Sequence, residues 1–411
     1  MAEKQKNGST ASLRFRRAKN RVQELGQVAT PDAIARLLAE GVPPTAQRIV
    51  DLGSGGGALS SAVLNRCPKA RALLLDIDRA VLGEAIDVLH PKAEGLALDV
   101  MRSPLVSNLR IEGLLPDVVV SNPPYAMVRL GRPSVDRIRG IFPSVRDEGG
   151  WLRSDVVFTA HSWSLLTRGA TMALIVASPI VTHAKYAAVR RQLISGMSGI
   201  TVTQLDPKTF GIAEVDAFLI TGRRAVSRQR GVLLRQSTVG GEITGERRIP
   251  FEQALERLDF NYHNAMAVLD VRRRHVAGNL GSVGAAVVRG SRSRNEFVGL
   301  GYEAFHTSDF ATFPDELRLT GARLEFKNAE RGDILIARVG SRCLTREAFV
   351  AAGAGLFTDC VYRIRVPEES RVRVWGTLTS DFGREWRQAH AAGNCAKHIT
   401  VGTLLGMPVL V

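Results

Sequence analysis

The chain has 411 residues, which is too long for one ordinary domain core, so two domains are expected. It is 45% hydrophobic, which is enough for folding. It carries 55 Lys and Arg against 40 Asp and Glu, and the net charge of +15 predicts a polyanionic partner, most simply nucleic acid. A basic protein of ribosomes or of anionic membrane surfaces would look similar, so charge alone leaves the partner open.

The cysteines and the N-terminus predict a cytoplasmic setting. Cys67, Cys343, Cys360 and Cys395 are far apart and form no CxxC pair, so the pattern predicts neither a zinc site nor a disulfide scaffold. The N-terminal stretch is polar and basic, without the apolar run of a secretion signal. No stretch reaches the roughly 20 apolar residues of a membrane span. We therefore expect no metal and no membrane contact.

Short apolar runs alternate with helical patterns through the first half of the chain. Thr30 and Pro31 suit a helix start, with Thr30 as the N-cap, and IARLLAE follows at helical spacing. The predicted strands are residues 48–53, 72–78, 95–100, 116–122 and 170–178, followed by the runs TVTQLD and DAFLITG. Fully apolar strands that alternate with helices predict an α/β fold with a doubly wound, Rossmann-like sheet.

The pattern changes near Ser227, where helical repeats begin to thin out. Beyond the helical stretch that starts at FEQALERL, the tail holds short β-like runs, among them DILIARV, CVYRIRV and VRVWGTL. We predict a first domain over residues 1–226, a linker with a connecting helix over 227–280, and a second, mixed α/β domain over 281–411.

The segment VDLGSGGGA (50–58) joins a strand to a helix through a glycine-rich turn. Glycines let the backbone pass close to a ligand, and the N–H groups of the following helix face that ligand. Gly53, Gly55 and Ala58 also satisfy the dinucleotide fingerprint, so the loop alone leaves NAD and S-adenosylmethionine open. Asp51 favours S-adenosylmethionine, because a carboxylate suits the ammonium of methionine better than a pyrophosphate.

Acidic residues follow the next two predicted strands. Asp76 ends the second strand, where its carboxylate can accept from both ribose hydroxyls, and Ile77 can cover one face of adenine. Asp78 is the competing acid, and it also suits the N-cap of the following helix. Asp99 ends the third strand, where it can accept from the adenine amino group or simply close a turn. These strand ends therefore predict a nucleoside pocket.

The segment VVVSNPPYAM (118–127) ends the fourth predicted strand, where open α/β sheets bind ligands. The exocyclic amine of adenine is a poor nucleophile, because its lone pair is delocalised into the ring. Two acceptors on its N–H bonds localise that pair, and the side-chain carbonyl of Asn122 and the backbone carbonyl of Pro123 can supply them. Pro124 rigidifies the turn, and Tyr125 offers a flat face for the base. The motif predicts methyl transfer through alignment and hydrogen bonding.

Taken together, these motifs resemble those of the γ-class adenine-N6 DNA methyltransferases that carry a C-terminal target-recognition domain. GQVATP (26–31), VDLGSGGGAL, LDID, LALDV and SNPPY occur in the order typical of that family. The resemblance implies S-adenosylmethionine as the cofactor, with Thr30 in the motif that closes over it. TQLDPKTFGIAEVDAFLI (203–220) resembles the stretch whose aromatic packs against the flipped base, which implies that role for Phe210; a place in the core is the alternative.

The predicted second domain carries clusters of basic residues. RGDILIARVGSR (331–342) and KHITVGTLLGMPVLV (397–411) resemble recurring segments of target-recognition domains in restriction–modification systems, and RRRH (272–275) and RGSRSR (289–294) add positive charge. Arginines can fork onto guanine edges or clamp phosphates, although solvated basic loops are the structural alternative. We predict DNA contacts from four arginines: Arg292, Arg294, Arg338 and Arg342.

The resemblance implies a monomeric enzyme that flips an adenine out of double-stranded DNA and methylates its N6 atom. It would act within a restriction–modification or phage-defence system, where a cognate restriction endonuclease is a further partner. Three alternatives stay open. A glutamine-N5 protein methyltransferase uses the same Asn-Pro-Pro-Tyr motif, because a side-chain amide poses the same nitrogen problem. An RNA adenine methyltransferase shares the chemistry, and a non-enzymatic DNA specificity protein would account for residues 281–411 alone.

Overall fold

The computed structural model describes residues 29–104, 109, 115–211, 216–225, 231–272, 276–311, 315–340, 344–391 and 397–411. The chain divides between Phe260 and Asn261 into two compact units. Among the described residues, no helix is both long enough and apolar enough to cross a lipid bilayer. Arg342 and the basic residues 273–275 lie outside the described residues.

Strands and helices alternate through most of the first unit. Its strands are β1 Arg48–Leu52, β2 Arg71–Asp76, β3 Ala93–Ala97, β4 Val118–Ser121, β5 Met127–Arg129, β6 Trp151–Arg153, β7 Thr171–Ala177, β8 Met197–Gln204, β9 Ala217–Arg224, β10 Val232–Ser237 and β11 Ile243–Ile249. Its helices are α1 Asp32–Glu40, α2 Ala58–Arg66, α3 Arg79–Leu89, α4 Arg132–Ile141, α5 Ser154–Leu165, α6 Ser178–Thr182, α7 Ala187–Ser195 and α8 Phe251–Glu256.

Nine of these strands form one sheet in the order β11-β10-β8-β9-β7-β4-β1-β2-β3. The five strands from β7 to β3 pair in parallel, whereas β9 runs antiparallel to both β7 and β8. Every residue of β4 and β7 is buried, as expected for central strands with helices on both faces of the sheet. The predicted doubly wound, Rossmann-like α/β fold is confirmed.

Two strands of this sheet lie in the segment that the sequence predicts to be a linker. Strand β10 pairs in parallel with β8, and β11 pairs antiparallel with β10, so residues 232–249 belong to the first unit. The side chains of β11 alternate between part-buried and exposed up to the buried Ile249, which is typical of an edge strand. Its charged residues hide that alternation in the sequence. The boundary between the units therefore lies later than the sequence predicts.

The first helix begins differently from the sequence prediction. The N-cap of α1 is Pro31, no side chain caps this helix, and the predicted capping role of Thr30 is wrong. The physical reason is a competing partner: the hydroxyl oxygen of Thr30 accepts a hydrogen bond from Asn122 instead. A residue chosen for helix capping by its sequence context thus lies at the candidate site.

The second unit is a mixed α/β domain, as predicted. Its strands are β12 Val276–Asn279, β13 Ala286–Arg289, β14 Ala304–Phe305, β15 Asp315–Leu319, β16 Asn328–Glu330, β17 Ile334–Ala337, β18 Glu347–Phe357, β19 Val361–Arg365 and β20 Pro408–Leu410. Its helices are α9 Phe260–Arg272, which begins at the boundary, α10 Arg294–Gly299, α11 Glu368–Thr379, α12 Asp381–His390 and α13 Val401–Leu405. The long strand β18 is the centre of a seven-stranded sheet, with β14, β15, β16 and β17 all paired to it.

One β-like run of the tail is helical. VRVWGTL lies within α11, whose buried residues Val374, Thr377 and Leu378 follow helical spacing. Pro367 precedes the helix, and Glu368 and Glu369 occupy its first turn, where negative charge stabilises a helix. The β-branched valines of this run favour a strand by intrinsic propensity, so the predicted β-like run is wrong here. Burial of one face of the helix outweighs that propensity.

Candidate active site

Three neighbouring strands bring the predicted site residues to one edge of the first sheet. Strands β4, β1 and β2 lie side by side and run parallel, so their carboxyl ends meet at the same edge. The Ser121 hydroxyl at the end of β4 donates to the carbonyl of Leu52 at the end of β1, at 2.5 Å. The glycine loop, Asp76 and the segment Asn122–Tyr125 therefore follow adjacent strand ends.

The glycine loop has the backbone geometry that its composition predicts. Gly53, Gly55 and Gly57 have φ values of +69°, +49° and +76°, a region that side chains disfavour. A Cβ atom on Gly53 would lie 3.0 Å from the ring of Phe158, whereas one on Gly55 would meet no atom within 4 Å. The loop is thus packed against α5 at Gly53 and faces open space at Gly55. That open space leaves room for a ligand close to the backbone.

Asp51 is a fully buried carboxylate beneath this loop. Its Oδ2 atom accepts a hydrogen bond of 2.7 Å from the Ser60 hydroxyl, while Oδ1 is buried with no hydrogen-bond partner among the described residues. Burial raises the pKa of Asp51 from 3.8 to about 7, the nearby Asp76 carboxylate adds to the increase, and the Ser60 hydrogen bonds oppose it. A buried carboxyl group with an unsatisfied oxygen is suited to receive a cationic ligand group.

Asp76 holds the glycine loop as well as ending β2. Its Oδ2 atom accepts from the backbone N–H of Gly55 at 2.8 Å, and Oδ1 accepts from the backbone N–H of Asp78 at 2.9 Å. Each carboxylate oxygen keeps a second lone pair for a ligand. The next residue, Ile77, is 49% exposed, which leaves an apolar surface beside this carboxylate. The bond to the loop was not foreseen from the sequence.

The other two acids are engaged in local turns. Asp78 is the N-cap of α3 and accepts from the N–H groups of Ala80 and Val81, which confirms its predicted capping role. Asp99 lies two residues beyond the end of β3 at Ala97, so it does not end the strand itself. It accepts from the backbone N–H of Met101 at 3.0 Å and pairs with the Arg102 guanidinium at 2.8 Å, which matches the turn alternative.

Three side chains are joined by hydrogen bonds at the end of β4. The Asn122 Nδ2 atom donates to the Thr30 hydroxyl oxygen at 2.9 Å, and the Tyr125 hydroxyl donates to Asn122 Oδ1 at 2.9 Å. The two bonds fix which end of the carboxamide faces each neighbour. An amide oxygen has two lone pairs, so Asn122 Oδ1 can accept from Tyr125 and from a second donor. Burial, with the Asp155 charge, raises the pKa of Tyr125 well above its usual value, so the hydroxyl stays protonated.

The turn at Pro124 is held by a residue that the sequence reasoning did not single out. The buried Ser154 hydroxyl, at the start of α5, donates to the Pro124 carbonyl and accepts from the backbone N–H of Ala126 at 3.1 Å. Pro123 is buried, and among the described residues no hydrogen bond engages its carbonyl. Ser154 is the first residue of α5 and precedes its apolar run Val156–Phe158, and this position of a hydroxyl at a helix start is the signal that could have found it.

The predicted pair of aromatic residues is in contact. The rings of Tyr125 and Phe210 lie edge to face, with centroids 6.4 Å apart. Tyr125 is part-buried, whereas Phe210 is 8% exposed and belongs to the apolar cluster that includes Leu38 and Leu205. The structure therefore brings Phe210 to the wall of the site while it also serves the core.

Three of the four predicted DNA-binding arginines lie in the described part of the second unit, and they differ in exposure and partners. Arg292 is exposed and lies 3.5 Å from Glu296, and Arg294 is exposed and donates to Ser308 and Asp309. Arg338 is part-buried, and its Nε atom donates to the Asp359 carbonyl at 2.8 Å. Arg342 lies outside the described residues.

Residues 28–134 match the family model of the methyltransferase small domain. The match covers about a quarter of the chain, from the segment before Thr30 through the glycine loop and past Tyr125. Its description and the sheet topology identify S-adenosylmethionine as the cofactor of this unit. The site residues fit that cofactor, because Asp51 has a buried unpaired oxygen and Gly55 borders open space.

The ribosomal RNA small subunit methyltransferases C of Salmonella choleraesuis and Klebsiella pneumoniae are similar over a short region. Each is 34% identical to this chain over 89 residues, which is 22% of this chain and 25% of the relative. The chain thus matches about a quarter of the length of these curated relatives.

A solved structure of the type IIG restriction endonuclease BpuSI is similar over most of the chain. The likeness has a TM-score of 0.50 and 12% identity, and it covers 93% of this chain and 59% of that one. At this identity it concerns the fold alone. A type I restriction-modification methyltransferase subunit from Streptococcus thermophilus is 14% identical, with a TM-score of 0.43 and 62% and 56% coverage.

Proposed function

We propose that this chain is a site-specific DNA methyltransferase that transfers the methyl group of S-adenosylmethionine to adenine N6. The observation that carries the proposal is the arrangement at the end of β4, where Thr30 and Tyr125 fix the Asn122 carboxamide beside the glycine loop. A planar amine with a delocalised lone pair needs fixed acceptors, and this arrangement supplies one in a defined orientation.

The proposed chemistry depends on two acceptors and one flat face. Asn122 Oδ1 and the Pro123 carbonyl oxygen would each accept a hydrogen bond from one N–H of the target amino group. These two hydrogen bonds would draw the amino nitrogen towards tetrahedral geometry and localise its lone pair. Tyr125 would stack on the base, with Phe210 supporting the tyrosine ring from its edge. Ser154 positions Pro124 and thereby the turn that carries these groups. Because the target atom lies within a duplex, the base would have to be flipped out.

The cofactor would be held by the strand ends. When bound, S-adenosylmethionine supplies a methyl group activated on a sulfonium. The Asp51 carboxylate would receive the methionine ammonium, and the lone pairs left on Asp76 would accept from the ribose. The exposed Ile77 would cover the adenine ring, while the Gly53–Gly55 backbone lies close to the ligand. The Asp99 carboxylate oxygens, which already accept from Met101 and Arg102, would use their remaining lone pairs to accept a hydrogen bond from the adenine amino group.

The second unit is proposed as the DNA target-recognition domain. The exposed guanidinium groups of Arg292 and Arg294 are suited to phosphates or guanine edges. Arg338 would contribute less directly, because the Asp359 carbonyl already engages its Nε atom. We propose that residues 1–226 carry every methyl-transfer group and that residues 281–411 supply specific DNA affinity.

We also propose that the protein acts as a monomer and has a cognate restriction endonuclease as a partner.

RNA is the second candidate substrate. The 89-residue similarity to two ribosomal RNA small subunit methyltransferases favours it. The similarity covers only 22% of this chain and 25% of the relative, so most of both proteins lies outside it. DNA remains the preferred substrate because the sequence of the second unit resembles target-recognition domains.

Product analysis tests the proposal directly. The purified chain is incubated with S-adenosylmethionine and, in separate reactions, with unmethylated genomic DNA, ribosomal RNA or a protein extract. We expect liquid chromatography with mass spectrometry to detect N6-methyladenine in the DNA alone. Sequencing of modified bases should then find the mark at one recurring sequence. Methyladenine in the RNA, methylglutamine in the protein, or no product with all three substrates would each contradict the proposal.

A further inference from the structure

A braced turn in the second unit holds a leucine in solvent. The backbone N–H of Phe326 donates to the Arg323 carbonyl at 3.1 Å and closes the turn. The Asn328 side chain accepts from the Arg323 N–H at 3.0 Å and donates to the carbonyls of Arg323 and Phe326 at 2.7 and 2.9 Å. Leu324, inside this turn, is as exposed as in an extended reference peptide, at 104%.

Aromatic rings anchor the turn from below. Phe326 packs edge to face against the fully buried Phe297, with centroids 5.4 Å apart, and against Tyr302 at 6.1 Å. Because Phe326 is fixed in this way and Asn328 brackets the backbone, the turn is held in one conformation. Single exposed apolar residues are common on protein surfaces. The fold does not explain why the turn that carries this exposed leucine is fixed by hydrogen bonds and ring packing.

Cationic side chains lie on this turn and beside the rings that anchor it. The Arg292 guanidinium lies 5.5 Å from the centre of the Phe326 ring, and the Arg323 guanidinium lies 4.9 Å from that of Tyr302. The Lys327 ammonium donates to the Arg289 carbonyl at 3.1 Å. Neither Arg323 nor Lys327, both exposed, forms an ion pair within the described parts of the chain. The turn therefore presents two cations without an ion-pair partner among the described residues, beside one exposed carboxylate, that of Glu325, and keeps a net positive charge.

We propose that Leu324 is an apolar wedge that enters a groove of duplex DNA and inserts between two stacked base pairs. Arg323 and Lys327 would bind the flanking phosphates, so the net positive charge of the turn, with Glu325 included, matches the polyanion while its tip is apolar. The braced backbone would keep the side chain extended when it meets the resistance of the base stack. The inference rests on the proposed function and names a residue of its DNA contact.

Fluorescence of 2-aminopurine tests the wedge. Duplexes carrying the methylated sequence have this reporter at successive positions outside the target adenine, and the full-length chain is added. At one step we expect the reporter to brighten on binding, because unstacking relieves its quenching. Leu324→Ala should remove most of that increase and weaken DNA binding by about tenfold, without changing its salt dependence. Val372→Ala, which truncates another aliphatic side chain that is 83% exposed in the same unit, is the matched control and should match the wild type.

The flanking cations give a second readout. Arg323→Gln and Lys327→Gln should each reduce the salt slope of DNA binding by about one, because each removes one phosphate contact. If wild type binds and methylates DNA while Leu324→Ala keeps both the reporter signal and the affinity, the wedge is wrong and the proposed function stands. If the wild type neither binds nor methylates DNA, the proposed function itself fails.

Discussion

Asn122 and Thr30 are 92 residues apart in sequence, and the Asn122 side-chain nitrogen donates to the Thr30 hydroxyl oxygen at 2.9 Å. This bond leaves the carbonyl end of the carboxamide for Tyr125 and for a second donor. Thr30 therefore acts on Asn122, in addition to any contact with the cofactor that the sequence resemblance implies.

We expect Thr30→Val to lower the turnover number by about tenfold, because a part-buried hydrogen bond that orients the acceptor is lost. The dissociation constant for S-adenosylmethionine should change less. Thr30→Ser keeps the hydroxyl and should restore turnover. Single-turnover kinetics with calorimetry of cofactor binding separates the two effects. A large loss of cofactor affinity with normal turnover of the bound enzyme would assign Thr30 to the cofactor alone.

Asn122→Ala should abolish methylation while cofactor binding persists, because it removes an acceptor and leaves the glycine loop intact. Tyr125→Ala should weaken base capture more than Tyr125→Phe, since the phenyl ring keeps the flat face and its contact with Phe210. Methylation assays and cofactor titration measure both. Turnover like the wild type in Asn122→Ala would rule out the proposed role of this side chain.

Cofactor binding should be coupled to protonation of Asp51, whose pKa is raised to about 7 mainly by burial. A cationic ligand favours the carboxylate, so binding should release a proton and weaken by up to about tenfold per pH unit below pH 7. Calorimetry in buffers of different ionisation enthalpy measures the released proton. Asp51→Asn should abolish this proton release.

Asp51 should also affect the stability of the cofactor-free protein, which favours the neutral carboxylic acid, whereas the cationic cofactor favours the carboxylate. The pKa of Asp51 in the folded state is raised above its ordinary value of 3.8, so its stabilising contribution is complete below that value. This contribution is lost as the pH rises to about 7, where the buried group ionises. Thermal unfolding across this range should therefore depend less on pH in Asp51→Asn. An unchanged pH dependence would place the titration elsewhere.

Asp76→Ala should raise the dissociation constant for S-adenosylmethionine by about tenfold or more, through a lost ribose acceptor and a released glycine loop. Asp76→Asn keeps one acceptor oxygen and should have a smaller effect. Asp78→Ala is the matched control: it removes a helix N-cap and should cost about 1 kcal/mol of stability without changing cofactor affinity. Equal cofactor affinities in all these variants would contradict the role of Asp76.

Arg292→Gln and Arg294→Gln should each weaken DNA binding. A lost phosphate contact should weaken binding to all sequences and flatten the salt dependence, whereas a lost base contact should relax one position of the methylated sequence. The same tests apply to Arg338 and Arg342. Arg373→Gln, at an exposed position of α11, is the control. Unchanged affinity, salt slope and methylated sequence in all four variants would refute the recognition role of the second unit.

The sequence by itself determined the order of strands and helices in most of the first unit, the glycine loop and the position of Asn122–Tyr125 at a strand end. These features follow from local patterns: apolar runs bury strands, glycines allow positive φ, and prolines fix a turn. The capping role of Asp78 is likewise local, since the side chain binds N–H groups two and three residues away.

The tertiary structure alone decided which distant groups meet. The bond from Asn122 to Thr30, the tie from Asp76 to Gly55, and the addition of residues 232–249 to the sheet each depend on pairing across long stretches of chain. The sequence also could not predict the exposure of Leu324 on its turn. Leucine is apolar wherever it occurs, and only tertiary packing decides whether its side chain is buried. Local propensity fixes an element, whereas its partners are selected by burial and by hydrogen bonds that exist only once the chain has folded.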